Sequence, residues 1–464
     1  MDHTYDVKLW KTSVYEGSRK TTHTVRWTVA GREWRQPHAT APLAESFRAT
    51  LVVAMRSGRA FSIATGRPVS QQTTLAPSRN WYEFAVEFVD AQWGRTSANN
   101  RRTVAKVLMA ATTALLRAPL PSYFTQVDLR TALREYGFNT LHRENAPREI
   151  AAILAWVQRS TLTMAAWEDT ARVEAILAAM TTKLNGTPVA ASSVKRSRRV
   201  LNVLMEYAVK QGVLNVNPLP KGRGTSPKAS ATLDKRSLIN DEQAVRLLAW
   251  VRNRPRGGPR LHAFFATMYY AAPRPEELVA MRVMDVRLPR ADAGDQWGEL
   301  HVYAARPEVG RQWTDTGEVR DDRGLKGRGE GDMRVVPCRP ALTRILREHI
   351  AAEKLKPTDT LFQGENGGVL AGSVIRRAWR GARMAVLTPE QFASPLGKRV
   401  YDWRHTCQTK WLNSGVPPAQ VAEWAGNSVP VLLAYYARCI SGHLADLKSR
   451  IEEEVDQAGY SGLE

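Results

Sequence analysis

Cysteine is scarce in this chain: 464 residues hold only three, Cys338, Cys407 and Cys439, and none forms a CxxC pair. A disulfide framework and a cysteine-rich zinc site are therefore not expected, and a reducing cytoplasm is the expected compartment. Acidic residues are in deficit. Asp plus Glu number 45 against 66 Lys plus Arg, which leaves a net charge of +21 and a pI near 10.1. That balance disfavours an acidic-surface enzyme and favours a polyanionic partner. Long apolar runs are also missing. The opening MDHTYDVKLWKTSVYEG has no apolar stretch of signal-peptide type, and nothing approaches the roughly 20 residues of a membrane span. Neither secretion nor membrane insertion is expected. The chain has no GxxxxGK(S/T) loop and no HExxH run. Those two absences are consistent with chemistry that needs neither metal nor cofactor.

What is present is ordinary globular composition, 43% hydrophobic and 24% charged. At usual domain sizes, 464 residues make two to four domains. The positive charge is spread along the chain: +6 over residues 1–70, +7 over 71–220 and +8 over 221–464. Composition alone allows a generally solvated basic surface. The sharper reading is that every domain touches one extended polyanion, as nucleic acid would be, because neutralised phosphates release counterions.

Residues 1–60 predict a small domain of three strands and a helix. Val25, Trp27 and Val29 alternate with polar residues, Ala30-Gly31 breaks the run, and Arg32 to Arg35 follow as a partner strand. Val7 to Tyr15 predicts an earlier strand. Thr40 and Pro42 open a helix whose Leu43, Phe47, Leu51 and Met55 fall near one face. Arg26, Arg32 and Arg35 either solubilise a wet sheet face or meet a DNA groove. Residues 61–79 are polar, with Gly and Pro, and read as a linker. Residues 80–212 are mostly helical. Their last helix carries Lys195, Arg196, Arg198 and Arg199 at its start and an apolar stripe of Val200, Val203, Leu204 and Ala208. Cations there oppose the helix dipole, so either a phosphate backbone rewards them or they form an exposed basic turn. Residues 213–239 are a basic, Pro- and Gly-rich linker, 240–445 a further domain, and 446–464 a terminal helix and tail.

Four points in residues 240–445 carry chemistry. Arg274, between Pro273 and Pro275, opens a helix with Glu277 on the same face. Leu325-Lys326-Gly327-Arg328-Gly329 through Arg334-Val335-Val336-Pro337 predicts a hairpin with a lysine before a glycine-rich tip. Tyr401-Asp402-Trp403-Arg404-His405 and Trp424-Ala425-Gly426-Asn427, with Tyr435-Tyr436 nine residues on, complete the set. Each alone is as well explained by an ion pair, a solvated loop or packing.

In this order and spacing the region resembles the catalytic domain of the tyrosine recombinases, the phage-type integrases. The wording WLNSGVPPAQVAEWAGNSVPVLLAYYARCI looks most like integrases of actinobacterial phages and integrative elements. The resemblance implies a multidomain fold: a three-stranded sheet with a helix binding arm-type DNA, an all-α core-binding domain, and a mainly α catalytic domain with a small β-sheet. It implies a site-specific recombinase that integrates or excises a mobile element, with arm and core attachment sites on double-stranded DNA as partners. A homotetramer on two duplexes, and an excisionase or host DNA-bending protein as accessory, belong to the same expectation. Arg274 and Arg404 would grip the non-bridging phosphate oxygens, with Glu277 beside Arg274. Lys326 would protonate the leaving 5′ oxygen, and Tyr436 would become linked to the 3′ phosphate, without metal or ATP. Tyr435 is the rival nucleophile.

Two positions depart from the family pattern: Tyr401 and Asn427 stand where histidines are usual, or tryptophan at the second. His405 is not expected to replace Tyr401, since the two side chains need not share a direction. The departures motivate a second reading, a DNA-binding relative that has lost catalysis. A third, topoisomerase-like relaxation, leaves residues 1–60 without a purpose.

Overall fold

The computed structural model describes residues 3–16, 21–69, 79–183, 186–220, 233–290, 292, 295–325, 329 and 331–436. Among these, helices dominate, and the strands form four small sheets with antiparallel pairing throughout.

The N-terminal sheet is built on one long strand, Thr21–Val29. It pairs with Arg32–His38 across Ala30 and Gly31, both at positive φ (49° and 78°), the left-handed pair that a tight two-residue hairpin needs. The segment read as one strand from Val7 to Tyr15 is two strands, Val7–Leu9 and Ser13–Glu16, which pair with successive parts of the same edge. Val25, Trp27 and Val29 are buried against the helix Ala41–Arg56 through Ala44, Leu51 and Ala54, with Trp27 edge-on to Phe47 at 5.5 Å. Leu43 is exposed, so the helix turns Ala44 inward in its place.

The polar segment read as a linker is partly structured. Phe61–Ser62 pairs with His3–Thr4, and Phe61 is fully buried. The Trp27 indole N–H donates to the Gly66 carbonyl. Gly66 has φ +68° and lies flat against the Trp34 ring, where any Cβ would overlap it. Residues 61–69 therefore close the sheet's core, which polar composition hides because one aromatic and one glycine do the packing.

The helices Trp81–Trp93, Ala98–Ala114, Gln126–Thr131, Arg148–Ser160, Thr170–Ala179 and Ala191–Lys210 share one core, in which Trp81 meets Trp167 at 5.1 Å. Asn80 caps the first by accepting from the backbone of Tyr82 and Glu83. In the last, the buried stripe is Val200, Leu201, Leu204, Met205 and Ala208, and Val203 is 48% exposed, a correction to the predicted stripe.

This helical core also takes in Val309 and Trp313 from much later in the chain. Residues 306–322 leave the strand Ala304–Ala305, cross to the helices and return to its partner Arg323–Gly324. Arg101 holds the excursion with a two-pronged pair to Asp315 (2.7 and 2.9 Å) and a bond to the Trp313 carbonyl.

The C-terminal part packs the helices Asp241–Arg252, Gly258–Ala271, Pro340–Ala352, Gly372–Val386 and Asp402–Asn413 around Phe264, Phe265, Trp379 and Trp403. A three-stranded sheet flanks them, in the order Arg334–Cys338, Gly298–Val302, Val286–Arg287. The return strand predicted after Lys326 exists as Arg334–Cys338, but it pairs with Gly298–Val302. Arg323–Gly324, just before Lys326, pairs instead with Ala304–Ala305. Short helices Pro275–Leu278, Pro389–Ala393, Pro418–Ala425 and Val429–Tyr436 also belong to this region.

Candidate active site: an arginine-lined cleft

The site begins where the helix Gly258–Ala271 stops. Ala272 takes a left-handed conformation (φ 52°), uncommon for a residue with a Cβ. Its carbonyl accepts from Nη1 of Arg404. Two residues on, Arg274 sits extended between its prolines and heads the helix Pro275–Leu278. Its Nη1 donates to Oε1 of Glu277 at 2.7 Å, and its backbone N–H donates to Oε2 at 2.7 Å.

Glu277 is the hub. Arg334, at an inward position of its strand, donates to both carboxylate oxygens at 3.2 and 2.7 Å. Burial alone would raise the Glu277 carboxyl. The Arg334, Arg404 and Arg274 guanidiniums outweigh it and hold the carboxyl down at about 2.

The second wall is the end of the helix Pro418–Ala425. Its terminal carbonyls need partners, and Gly426 turns left-handed (φ 63°) to end it. The Ala425 carbonyl accepts from Arg404 Nη2, and the Gly426 carbonyl accepts from Arg274 Nη2 at 2.7 Å. Gly426 is also sterically required, since a Cβ there would lie 2.6 Å from Arg334 Nη1. Oδ1 of Asn427 then accepts from both arginines, at 3.1 Å from Arg274 and 3.3 Å from Arg404. Arg404 is only 1% exposed. Burial lowers its pKa, against the upward pull of Tyr401, though a guanidinium stays protonated regardless.

On the helix Asp402–Asn413, Arg404 is followed by His405, whose Nδ1 shares a 2.6 Å hydrogen bond with the Tyr436 hydroxyl. The Tyr401 ring meets the His405 ring edge-on at 5.1 Å, and the Arg404 guanidinium lies 5.7 Å from the Tyr401 ring centre. Tyr401 and His405 thus share a face, contrary to the expectation that they need not. Positions four apart on a helix are neighbours.

These residues line one cleft of about 760 Å³, shared by Arg274, Glu277, Tyr401, Arg404, His405, Asn427, Tyr435 and Tyr436. Tyr435 is 43% exposed. Tyr436 is 3% exposed and backed by Leu412, Val421 and Leu432. Lys326 lies outside the described residues. Arg323, three residues before it, lines the cleft with an Nε that has no hydrogen-bond partner.

The other candidate residues lie elsewhere. Arg26 and Arg35 face one another in register on the sheet's outer face. Arg32 is opposite the core residue Val29 and stacks on Trp34 at 4.6 Å, so the three arginines do not share one face. Directly opposed residues project to the same side of a sheet, which separates Arg32 from the other two. Lys195, Arg196 and Arg199 are exposed near the start of their helix, while Arg198 is half-buried and donates to the Pro220 carbonyl.

Sequence reasoning missed Arg334, His405 and Arg323 as parts of the site. Arg334 had a signal: with Val336 and Cys338 it holds the inward phase of an alternating strand, so a charge was bound for the interior. His405 had one in its four-residue spacing from Tyr401. Arg323 had none beyond its charge.

Among the described residues, no group of three or more His, Cys, Asp or Glu is placed to hold a metal ion. Nor is any described helix long and apolar enough to cross a membrane. No protein-family model matches the sequence, and no curated protein matches it. Among solved structures, the chain is similar to the Tn1549 transposon integrase in complex with transposon right end DNA. That match has 15% identity and a TM-score of 0.47, covering 68% of this chain and 96% of that one. It is also similar to the XerH site-specific recombinase bound to palindromic difH substrate (14% identity, 78% and 96% covered, TM-score 0.43). A lambda integrase tetramer bound to a Holliday junction matches at 13% identity, with 89% and 95% covered and a TM-score of 0.41.

Proposed function

We propose that the protein is a site-specific tyrosine recombinase, an integrase that cuts and rejoins DNA through a 3′-phosphotyrosine. One observation carries this. Arg274 and Arg404, far apart in sequence, both bond the Asn427 carboxamide oxygen in a cleft that Tyr436 also lines. Two planar donors fixed around one small acceptor suit the non-bridging oxygens of a phosphodiester. Because they are preorganised and largely desolvated, they favour the more highly charged pentacoordinate state over the substrate. Glu277 orients Arg274, and Arg334 anchors Glu277. Tyr436 is the nucleophile and Lys326 the acid for the departing 5′ oxygen. The bond energy stays in the phosphotyrosine, so a second DNA end can rejoin without ATP. Residues 1–60 are assigned to arm-type sites and 80–212 to core-type sites. The working assembly is a homotetramer on two duplexes, with an excisionase or DNA-bending protein as accessory.

Randomised DNA makes the test independent of the attachment-site sequences. The protein is incubated with nicked duplexes of random sequence, and SDS-resistant protein–DNA adducts are isolated and digested. Tandem mass spectrometry is expected to place the nucleotide remnant on Tyr436. A remnant on Tyr435, or no adduct at all, would remove the assignment.

One contact favours the second reading, a relative that binds DNA without turnover. The Asn427 Nδ2 donates to Gln408 Oε1 at 3.2 Å, so the carboxamide is engaged on both sides by protein. The variant Asn427→His separates the two. In an active enzyme the imidazole, usual at this position by the resemblance, keeps one acceptor nitrogen toward the guanidiniums, and adduct formation is expected to change by less than about tenfold. A larger gain in adduct formation would mean that the native residue holds the site back.

A further inference from the structure

We infer that His405 is a catalytic residue of the strand-cleavage step: its Nδ1 receives the phenolic proton as Tyr436 attacks phosphorus. The inference rests on the recombinase reading and on Tyr436 as nucleophile. It goes beyond them, because Tyr401 and Asn427 stand where the family pattern has histidines, and the function proposed above assigns the nucleophile no proton acceptor.

The geometry is specific. Nδ1 lies 2.6 Å from the Tyr436 hydroxyl, and both side chains are buried, His405 at 8% and Tyr436 at 3% exposure. Such a distance is within proton-transfer reach without intervening water. Two rings contact the imidazole. The Tyr401 ring packs edge-on against it at 5.1 Å, and the Tyr436 ring lies tilted at 5.8 Å. Its place next to Arg404 on one helix fixes the acceptor relative to the guanidinium that faces the phosphate.

The protonation state agrees. Burial, aided by the Arg399 and Arg404 charges, lowers the His405 pKa to about 4, so the resting imidazole is neutral and one ring nitrogen is free to accept. When the phosphate enters, its negative charge favours the imidazolium that the transfer creates. The structural alternative is that His405 merely pins the ring of Tyr436. A pin would need a hydrogen bond but no basicity, and the experiment turns on that difference.

The step balances. The bond from the Tyr436 oxygen to phosphorus forms as the bond from phosphorus to the 5′ oxygen breaks. The phenolic proton passes to His405, and the acid assigned above, Lys326, protonates the departing oxygen. Rejoining reverses this. The incoming 5′ hydroxyl gives its proton to the Lys326 amine, and the His405 imidazolium returns its proton to the phenolate.

The probe is a pool of nicked duplexes enriched on the unmutated full-length protein, used for every variant in single turnover. His405→Asn places a carboxamide near the Nδ1 position and keeps a hydrogen bond without a base. It is expected to form adduct at least about 100-fold more slowly, with an unchanged thermal midpoint and unchanged binding to the pool. His405→Ala is expected to show the same loss and to regain rate with added imidazole, which a mere pin would not. A pool with a 5′-bridging sulfur, whose thiolate leaves without a proton, is expected to rescue Lys326→Ala and not His405→Asn. Normal rates in His405→Asn, no imidazole rescue of His405→Ala, or sulfur rescue of His405→Asn would each overturn the proposal. Tyr436→Phe stands apart from these. If it still forms adduct, the recombinase reading with this nucleophile fails whatever His405 does.

Discussion

Glu277→Gln is expected to destabilise the protein by about 3–5 kcal/mol and to slow DNA cleavage by more than tenfold. The substitution keeps the volume but turns one carboxylate oxygen, which here accepts two N–H bonds, into an NH2 donor, so the loss combines the charge with those two bonds. Glu277 is 2% exposed, and its carboxylate answers two guanidiniums, Arg274 at 2.7 Å and Arg334 at 2.7 Å. Arg334 is itself 2% exposed, and its Nε has no hydrogen-bond partner, so it has little else to compensate it. A neutral amide would leave a buried cation unpaired, which is the costly way to break a buried pair. Arg274 would keep its bonds to Gly426 and Asn427 but lose the carboxylate that aims it.

The same residue sets an acid limit. Its carboxyl is held at about 2 against an ordinary 4.5. A depressed folded value means that the unfolded chain takes up the proton first as pH falls. The stabilisation is therefore full above about pH 4.5 and is lost progressively toward pH 2. Its size is about 3 kcal/mol by linkage. Urea titrations from pH 6 to pH 2 are expected to show a steeper loss of stability for the unmutated protein than for Glu277→Gln. Parallel curves would mean that the carboxylate is not the group being protonated.

Glu277 also marks the boundary of what the sequence could disclose. Its pairing with Arg274 was legible because both lie within one helical turn, where three-residue spacing fixes proximity. Its pairing with Arg334 was not, because it depends on how the strand Arg334–Cys338 registers with Gly298–Val302 and docks beside the Pro275–Leu278 helix. The alternation of Val25, Trp27 and Val29 similarly predicted a strand and its buried face. The burial of Phe61 and Gly66 beneath the same sheet left no periodic trace. In the cleft, Arg274, Glu277, Arg404, Asn427 and Tyr436 were nominated by the family resemblance that their order and spacing carry, and the fold brings all five to one cavity. The contact between His405 and Tyr436 was not legible. A helical wheel relates His405 only to its own helix, and Tyr436 reaches it from a different one.

Trp313→Ala is expected to cost about 3–5 kcal/mol and to split a single unfolding transition into two. Trp313 is 1% exposed, and its ring lies 6.4 Å from that of Trp93 inside the helical core. It arrives on an excursion from the C-terminal part, which is tied down by backbone carbonyls. Val309 accepts from Arg102 at 3.1 Å, Gln312 from Asn139 at 2.7 Å and Trp313 from Arg101 at 3.1 Å. One segment thus supplies core to a region remote in sequence, so the two parts should unfold together while the indole is in place. Removing it leaves a large cavity at the joint, with Val309 as the remaining apolar anchor beside polar contacts that water can replace. Calorimetry reads the number of transitions, and one unshifted transition would show that the joint does not couple the two parts. Asp315→Ala serves as the contrast, because its carboxylate is 66% exposed and Arg101 keeps the Trp93 and Trp313 carbonyls. The consequence reaches the chemistry, since the excursion returns directly into Arg323, which lines the cleft. Undocking Trp313 is therefore expected to slow adduct formation more than it weakens DNA binding. Equal losses would mean that the excursion only joins the two parts and does not place Arg323.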